Sequence, residues 1–99
     1  MEEQLELFPE MTETALDKAR SIIYGDREQT YGHPAKNLET IAEMWSAYLT
    51  SRTSIGITIN SKDVCAMMVL LKAARFANDQ THMDNVVDGI GYWALVERC

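Results

Sequence analysis

The run from Val64 to Leu71 contains eight consecutive apolar residues, and it constrains the fold more than any other part of the 99-residue chain. Asn60 or Ser61 provides a helix cap before it, with Asp63 in the first turn, so the sequence predicts a helix that continues to Phe76. A helix that is apolar nearly all round belongs at the centre of a bundle or in a subunit interface. The run is also far too short to span a bilayer, so we expect no membrane-spanning segment.

Two helices are predicted before this run. The first would begin near Thr12 or Thr14, with Asp17 three residues after Thr14 as a variant capping box, and would stop at Gly25. The second would begin at Pro34, because the missing N–H of proline costs nothing in a first turn. Its apolar stripe consists of Leu38, Ile41, Trp45, Tyr48 and Leu49.

A fourth helix is predicted from the turn at residues 78–82 to about Arg98, with Thr81 and Asp84 as another variant capping box. Its expected core side consists of Val86, Val87, Ile90, Trp93 and Ala94. Between the second and third helices, Ile55, Ile57 and Ile59 alternate with other residues, but one short strand would leave its backbone unpaired. This segment is therefore predicted to be an extended loop that docks on the helices.

These patterns predict an all-α fold of about four helices in a bundle, completed by oligomerisation. We expect residues 1–11 to form an acidic N-terminal arm and residues 12–99 to form a single helical domain. The chain has 15 acidic and 9 basic residues, and six of the acids precede Lys18. Because no part has a basic excess, a duplex nucleic acid is not expected as a partner. The N-terminus lacks a secretory pattern, which predicts a cytoplasmic protein, and Cys65 and Cys99 are expected to be free thiols.

Two pairs of carboxylates lie one helical turn apart, Glu39 with Glu43 and Asp84 with Asp88. Packed face to face, the pairs would offer oxygen ligands for Mg²⁺, which usually holds phosphates in proteins. Simpler roles stay open, since Glu39 and Glu43 would be ordinary on a solvated face and Asp84 would suit a helix N-terminus. Asp88 lies among apolar residues and glycines, which favours a function for it.

Lys72 and Arg75 directly follow the apolar run, three residues apart on one helix face. They would either grip a polyphosphate or neutralise Asp84 and Asp88 across the turn, and both roles can coexist. Arg27, Tyr31 and Asn37 crowd the loop and first turn before the second helix. They would form a phosphate clamp there, or merely a rigid turn built on Gly25 and Gly32. The isolated His33 and His82 do not suggest zinc.

The chain contains a series of polar and aromatic motifs: Gly25-Asp26-Arg27-x-x-x-Tyr31-Gly32, Asn37, Ile41-Ala42-x-x-Trp45-x-x-Tyr48-Leu49, Asp63-Val64, Leu71-Lys72-x-x-Arg75 and Asp84-Asn85-x-x-Asp88-x-x-Gly91-Tyr92. Through these motifs the chain resembles a family of small phage and prophage proteins of unknown function, over roughly residues 15–96. More distantly, it resembles the MazG-type all-α nucleoside triphosphate pyrophosphohydrolases, which are Mg²⁺-dependent helical oligomers.

The MazG-type pattern has Glu-x-x-Glu on one helix and Glu-x-x-Asp on another. Here Thr40-x-x-Glu43 and Asn85-x-x-Asp88 each keep one acid, and Glu39 and Asp84 would have to replace the others from a turn away. The sequence therefore supports nucleotide binding better than catalysis.

The resemblance implies a nucleotide or other phosphate-bearing ligand, bound with Mg²⁺ by a homo-oligomer in the host cytoplasm. As an enzyme, the protein would be a pyrophosphohydrolase that cleaves between the α- and β-phosphates. The alternatives are a phage factor that sequesters a nucleotide signal or inhibits a host protein, and a structural adaptor whose charges are only an ion-pair network. In the enzyme hypothesis the catalytic residues are Asp88, Lys72 and Arg75; the ligand-binding residues are Arg27, Tyr31, Asn37, Lys72 and Arg75; and the metal ligands are Glu39, Glu43, Asp84 and Asp88.

Overall fold

The computed structural model describes residues 13–24 and 33–99, and within those residues it contains helices and no strands. The elements are α1 (Ala15–Tyr24), α2 (Pro34–Thr53), α3 (Ser61–Asn78) and α4 (Asp84–Leu95), followed by a 3₁₀ turn at Val96–Arg98. The prediction of an all-α fold with four helices is confirmed. The acidic arm, Arg27 and Tyr31 lie outside the described residues, and the structure does not test the predicted oligomer.

The caps explain where three of the helices begin. Thr14 and Asp17 form the predicted reciprocal pair, in which the Asp17 N–H donates to the Thr14 hydroxyl and the Thr14 N–H donates to the Asp17 carboxylate. The Thr14 N–H, and next the Thr14 hydroxyl, donate to the Asp17 carboxylate, and these two bonds lower the pKa of Asp17. Pro34 opens α2 as expected. Asn60 caps α3 in a full capping box with Asp63, so two otherwise unpaired donors are satisfied.

The predicted capping box at the start of α4 is wrong. Met83 occupies the cap position and makes no side-chain cap bond, while Asp84 is the first helical residue. Thr81 instead donates both its hydroxyl and its backbone N–H to the Asp79 carboxylate, two residues back. Both hydrogen-bond donors of Thr81 are thus used in a local turn before the helix begins. Local bonds between side chain and backbone compete with helix capping in this way.

The helices pack in the spatial order α1, α4, α3, α2. Between α2 and α3, the buried residues Leu38, Ala42, Val64 and Cys65 form one cluster, which Leu95 and Val96 also contact. Between α1 and α4, the buried residues are Ala19, Ile23, Val87 and Gly91. Gly91 lies under Ile23, since a Cβ at Gly91 would be 3.6 Å from Ile23 Cδ1. That distance is an ordinary van der Waals contact, so Gly91 marks where α1 packs against α4.

Two details of the predicted core differ from the structure. Trp93 was expected on the core side of α4 but is 56% exposed, because α1 packs over the neighbouring stripe that contains Val87 and Gly91. The apolar run of α3 is buried only on the side of Val64 and Cys65. Several large apolar side chains are exposed: Met67, Leu70 and Leu71 on α3, Met44 and Tyr48 on α2, and Leu16, Ile22 and Tyr24 on α1. None of the described helices is long and apolar enough to cross a membrane.

The isoleucine segment docks on α2 as an extended loop, as predicted from the sequence. The N–H of Ile59 donates to the Ser46 hydroxyl at 2.8 Å, and the N–H of Ile57 donates to the Thr50 hydroxyl at 3.0 Å. The Ser46 hydroxyl in turn donates to the carbonyl of Ala42 at 2.7 Å. Two hydroxyls one turn apart on α2 thus replace the missing neighbouring strand.

Replacing Ser46 with Ala is expected to lower the free energy of unfolding by about 1–3 kcal/mol, because the part-buried N–H of Ile59 loses its acceptor. Urea denaturation followed by circular dichroism measures this. Ser51→Ala is the control, since Ser51 is exposed on the same helix and should change stability by no more than about 0.5 kcal/mol. Equal effects of the two substitutions would contradict the docking role.

The buried thiol of Cys65 is expected to make the free energy of unfolding decrease at alkaline pH. Burial, and next the adjacent sulfur of Cys99, raises the pKa of Cys65 well above its ordinary value. The thiol therefore ionises at lower pH in the unfolded chain than in the folded chain. Cys65 contributes fully to the free energy of unfolding below about pH 8.5, and this contribution decreases as the pH rises toward the folded-state pKa. We therefore expect Cys65→Ala to flatten the loss of stability measured between pH 8.5 and 10.5, by at most about 1.4 kcal/mol per pH unit. Parallel curves for the two proteins would contradict this.

Candidate functional site between α1 and α4

An open cleft of about 380 Å³ lies between α1 and α4. From α1, Lys18, Ser21 and Ile22 share one face because they are three and four residues apart. From α4, Asp84, Val87 and Asp88 face them in the same way. The full lining consists of Glu13, Lys18, Ser21, Ile22, Asp84, Val87 and Asp88.

The predicted carboxylate pair of α4 thus lines one concave surface. Asp84 is highly exposed, with 84% of its side chain accessible, and its Oδ2 lies 3.4 Å from Nε2 of His82. Asp88 is more sheltered, with 38% of its side chain accessible. The two acids therefore differ, since Asp84 is free to move toward a ligand whereas Asp88 is held in place.

Lys72 holds Asp88 from the neighbouring helix. Its Nζ lies 3.0 Å from Oδ2 of Asp88, and only 14% of the Lys72 side chain is accessible. This ion pair joins α3 to α4 and confirms the structural half of the prediction for Lys72. Arg75 is exposed on α3 and forms no ion pair with Asp84 or Asp88, whose ion pairs are with His82 and Lys72 respectively.

The other predicted site residues lie elsewhere. Glu39 and Glu43 are exposed on α2, which packs against α3 and not extensively against α4. Asn37 lies exposed in the first turns of α2. A single chain therefore does not bring the two carboxylate pairs face to face, and among the described residues no group of three or more His, Cys, Asp or Glu side chains is arranged to hold a metal.

Three cleft residues were not foreseen from the sequence: Glu13, Lys18 and Ser21. Lys18 and Ser21 lie beside the apolar stripe of α1, a position typical of solvated residues. Their helical spacing would have grouped them, but only the packing of α1 against α4 shows that they face Asp84 and Asp88. The cleft thus offers two carboxylates on the α4 wall, and an ammonium, a hydroxyl and the Glu13 carboxylate on the other.

The fold and cleft define a small helical protein with a charged interhelical cleft, and sequence comparison identifies its family. The chain belongs to a domain family of unknown function, DUF6378, whose profile it matches over residues 14–99. It is 38% identical over 88 residues to the Gene 55 protein of Mycobacterium phage D29, covering 89% of this chain and 54% of that protein. It is 42% identical over 83 residues to the Gene 55 protein of Mycobacterium phage L5, covering 84% of this chain and 50% of that protein.

The chain thus spans about half the length of these phage relatives. The predicted kinship with small phage proteins of unknown function is confirmed. No solved structure matches the chain, and the likeness to MazG-type enzymes stays a prediction.

Proposed function

We propose that the protein binds a nucleotide or another phosphate-bearing small molecule in the cleft between α1 and α4, in the cytoplasm of the host cell. The observation that carries this proposal is that Asp84 and Asp88 line the same cleft as Lys18. A cleft of about 380 Å³ is within the usual range for small-molecule sites, which is roughly 300–1,000 Å³. Phosphate would contact the Lys18 ammonium and the Ser21 hydroxyl.

The acidic wall fits Mg²⁺ better than it fits a bare anion. Mg²⁺ is usually held by one or two carboxylates together with the phosphates of its ligand, so Asp84 and Asp88 suffice without a second acidic pair. The side chains of Asp84 and Asp88 are 84% and 38% accessible, and the 3.0 Å contact of Lys72 is with Oδ2 of Asp88. Bound there, Mg²⁺ would polarise a phosphate oxygen and lower the pKa of a bound water.

Hydrolysis is the finer form of this proposal. As a pyrophosphohydrolase, the protein would add water to a nucleoside triphosphate and release pyrophosphate. Asp84 and Asp88 would bind the metal, Lys18 would neutralise charge on the phosphates, and Lys72 would fix the position of Asp88. Arg75, Arg27, Tyr31 and Asn37 remain proposed ligand contacts, supported by the sequence pattern alone. Glu39 and Glu43 could reach this cleft only from another chain of a homo-oligomer.

A thermal-shift screen over nucleotides, with and without Mg²⁺, tests the binding proposal. A ligand at one hundred times its dissociation constant stabilises the folded state by about 2.7 kcal/mol, a readily measured rise in melting temperature. We expect at least one nucleotide to produce this rise only when Mg²⁺ is present. If no nucleotide does so across the common bases and phosphate numbers, the proposal fails.

Catalysis and sequestration are then separated by denaturing the complex and analysing the released small molecule. Pyrophosphate and a nucleoside monophosphate indicate hydrolysis. Unchanged ligand indicates a binding protein that sequesters the nucleotide, the alternative that the missing acids of the MazG-type pattern favour.

A second candidate function is binding to another protein. The exposed Met67, Leu70 and Leu71 on α3 support it, because contiguous apolar surface commonly marks protein interfaces. The partner would be a host protein or another copy of this chain. Two results together would favour the host protein and the adaptor hypothesis: the protein sediments as a monomer at every concentration, and no nucleotide raises its melting temperature.

A further inference from the structure

The loop between α2 and α3 is held by hydrogen bonds on one side. Three alternate isoleucines donate their backbone N–H groups to hydroxyls of α2: Ile55 to Thr53, Ile57 to Thr50 and Ile59 to Ser46. Side chains one helical turn apart, like those of Ser46 and Thr50, are separated by about 5–6 Å. Two residues of an extended chain cover about 6.5 Å, so the two spacings match and residues 55–59 run along α2 in an extended conformation.

Gly56 and Thr58 form the opposite edge of this segment. Successive residues of an extended chain direct their backbone N–H and C=O groups to opposite sides, so these two residues direct theirs away from α2. Both are exposed, and within the described part of the chain neither forms a backbone hydrogen bond. A Cβ at Gly56 would have no atom within 4 Å. The segment therefore presents an open edge with unpaired donors and acceptors, which is a template for another strand.

A second copy of the same segment matches this edge group for group. When two copies run antiparallel about a two-fold axis at Ile57, Gly56 of each chain lies opposite the partner's Thr58. Residues opposed in this way exchange both N–H to C=O hydrogen bonds. Each N–H and each C=O of Gly56 and Thr58 thus receives a partner, and the interface is the same for both chains, as a two-fold axis requires.

The side chains also suit this pairing. It places Ile55 opposite the partner's Ile59, and Ile57 opposite its own copy, all on one face of the paired strands. Ile55 is 66% exposed, so the pairing covers apolar surface, and pairs of β-branched residues across strands are favourable. No residue between Arg52 and Lys62 is charged, so no like charges oppose each other within the paired segment.

We propose that residues 55–59 are an interaction surface for a second copy of this chain, which adds as an antiparallel strand centred on Ile57. The proposal selects the second copy from the two partners considered above for protein binding, and it does not require nucleotide binding. Because the segment is short, the interface is small, and interfaces below about 1,200 Å² in total are typical of weak, transient association. We therefore expect a reversible dimer that forms as the protein concentration rises.

The test combines sedimentation velocity with amide hydrogen exchange of the intact protein over a range of concentrations. The wild type should change from monomer to dimer, and the amides of Gly56 and Thr58 should become protected over the same range. The amides of Ile57 and Ile59 should already be protected in the monomer. Thr58→Pro removes one outward donor from each chain without removing a bond to α2, and it should raise the dissociation constant of the dimer at least about tenfold.

Thr58→Ala is the matched control, since it keeps the backbone N–H and should associate like the wild type. The circular dichroism of Thr58→Pro must match the wild type. If it does not, Ile55→Lys takes its place, because Ile55 is largely exposed and an edge lysine opposes strand pairing. Nucleotide binding, measured separately by thermal shift, should be equal in the wild type and these variants, so the failure of one proposal does not imply the failure of the other.

Four results would overturn the proposal. The first is a monomer at every concentration, and the second is a dimer that the folded variant forms as tightly as the wild type. The third is a dimer whose new protection lies on α3, around Met67 and Leu70, and not at Gly56 and Thr58. The fourth is protection of Gly56 and Thr58 in the monomer itself, which would mean that another segment of the same chain covers the edge.

Discussion

Replacing Asp84 with Asn is expected to weaken Mg²⁺-dependent nucleotide binding at least about tenfold while leaving the melting temperature of the free protein nearly unchanged. The side chain is 84% exposed and makes only a long contact with His82, so the fold does not depend on its charge. Removing one of two carboxylates from the acidic wall nevertheless removes half of the proposed metal ligands. Isothermal titration calorimetry with the best nucleotide from the screen measures the change.

Asp88→Asn should also weaken binding, and unlike Asp84→Asn it should lower the stability of the free protein. The substitution leaves the largely buried Lys72 ammonium without its carboxylate, at a cost of about 1–3 kcal/mol. The double variant Lys72→Met with Asp88→Asn should recover part of that stability without recovering binding. Glu97→Gln is the matched control, because Glu97 is exposed in the 3₁₀ turn after α4, outside the cleft lining. Wild-type affinity in Asp84→Asn and Asp88→Asn would contradict the assignment of the site.

Val64→Asp is expected to unfold the protein. Val64 is 0% exposed and lies in the cluster that joins α2 to α3, so a carboxylate there would be desolvated without a partner. Such substitutions cost more than about 4 kcal/mol, against a total stability of roughly 5–15 kcal/mol for a domain. Circular dichroism at 25 °C should show loss of the helical signal or a greatly reduced urea midpoint.

Leu70→Asp is the control for this effect. Leu70 is on the same helix but 69% exposed, so the same substitution should change the free energy of unfolding by less than about 1 kcal/mol. The urea denaturation should be measured at low protein concentration, where contacts between chains do not contribute to the free energy of unfolding. Similar destabilisation by the two substitutions would mean that the apolar run is buried on both sides.

The positions of the helices could be predicted from the sequence because the residues that begin each helix act on close neighbours in the chain. Two of the helix starts are marked by bonds within four residues, Thr14 with Asp17 and Asn60 with Asp63, and the third by the missing N–H of Pro34; the structure has all three. The same reasoning failed at Thr81, where an equally local bond to Asp79 competed with the helix cap.

The arrangement of the site depended on information that periodicity does not contain. A helical stripe indicates which residues share a face but not which helix covers that face. Trp93 was therefore assigned to the core, and Lys18 and Ser21 were not connected with Asp88. On α4, the stripe that α1 covers contains Val87 and Gly91, and the side chain of Ile23 lies beside Gly91. The pairing of Lys72 with Asp88 was predictable because both residues are costly to bury alone.

The most direct test of the central claim is paramagnetic broadening by Mn²⁺, substituted for Mg²⁺, in the amide NMR spectrum of the protein with its nucleotide. Binding in the cleft predicts selective loss of the signals of Lys18, Ser21 and Val87, with the signals near Glu39 and Glu43 unaffected. Asp84→Asn should restore the lost signals at the same Mn²⁺ concentration. Broadening centred on Glu39 and Glu43, or no selective broadening with nucleotide present, would contradict the proposal that the cleft between α1 and α4 is the ligand site.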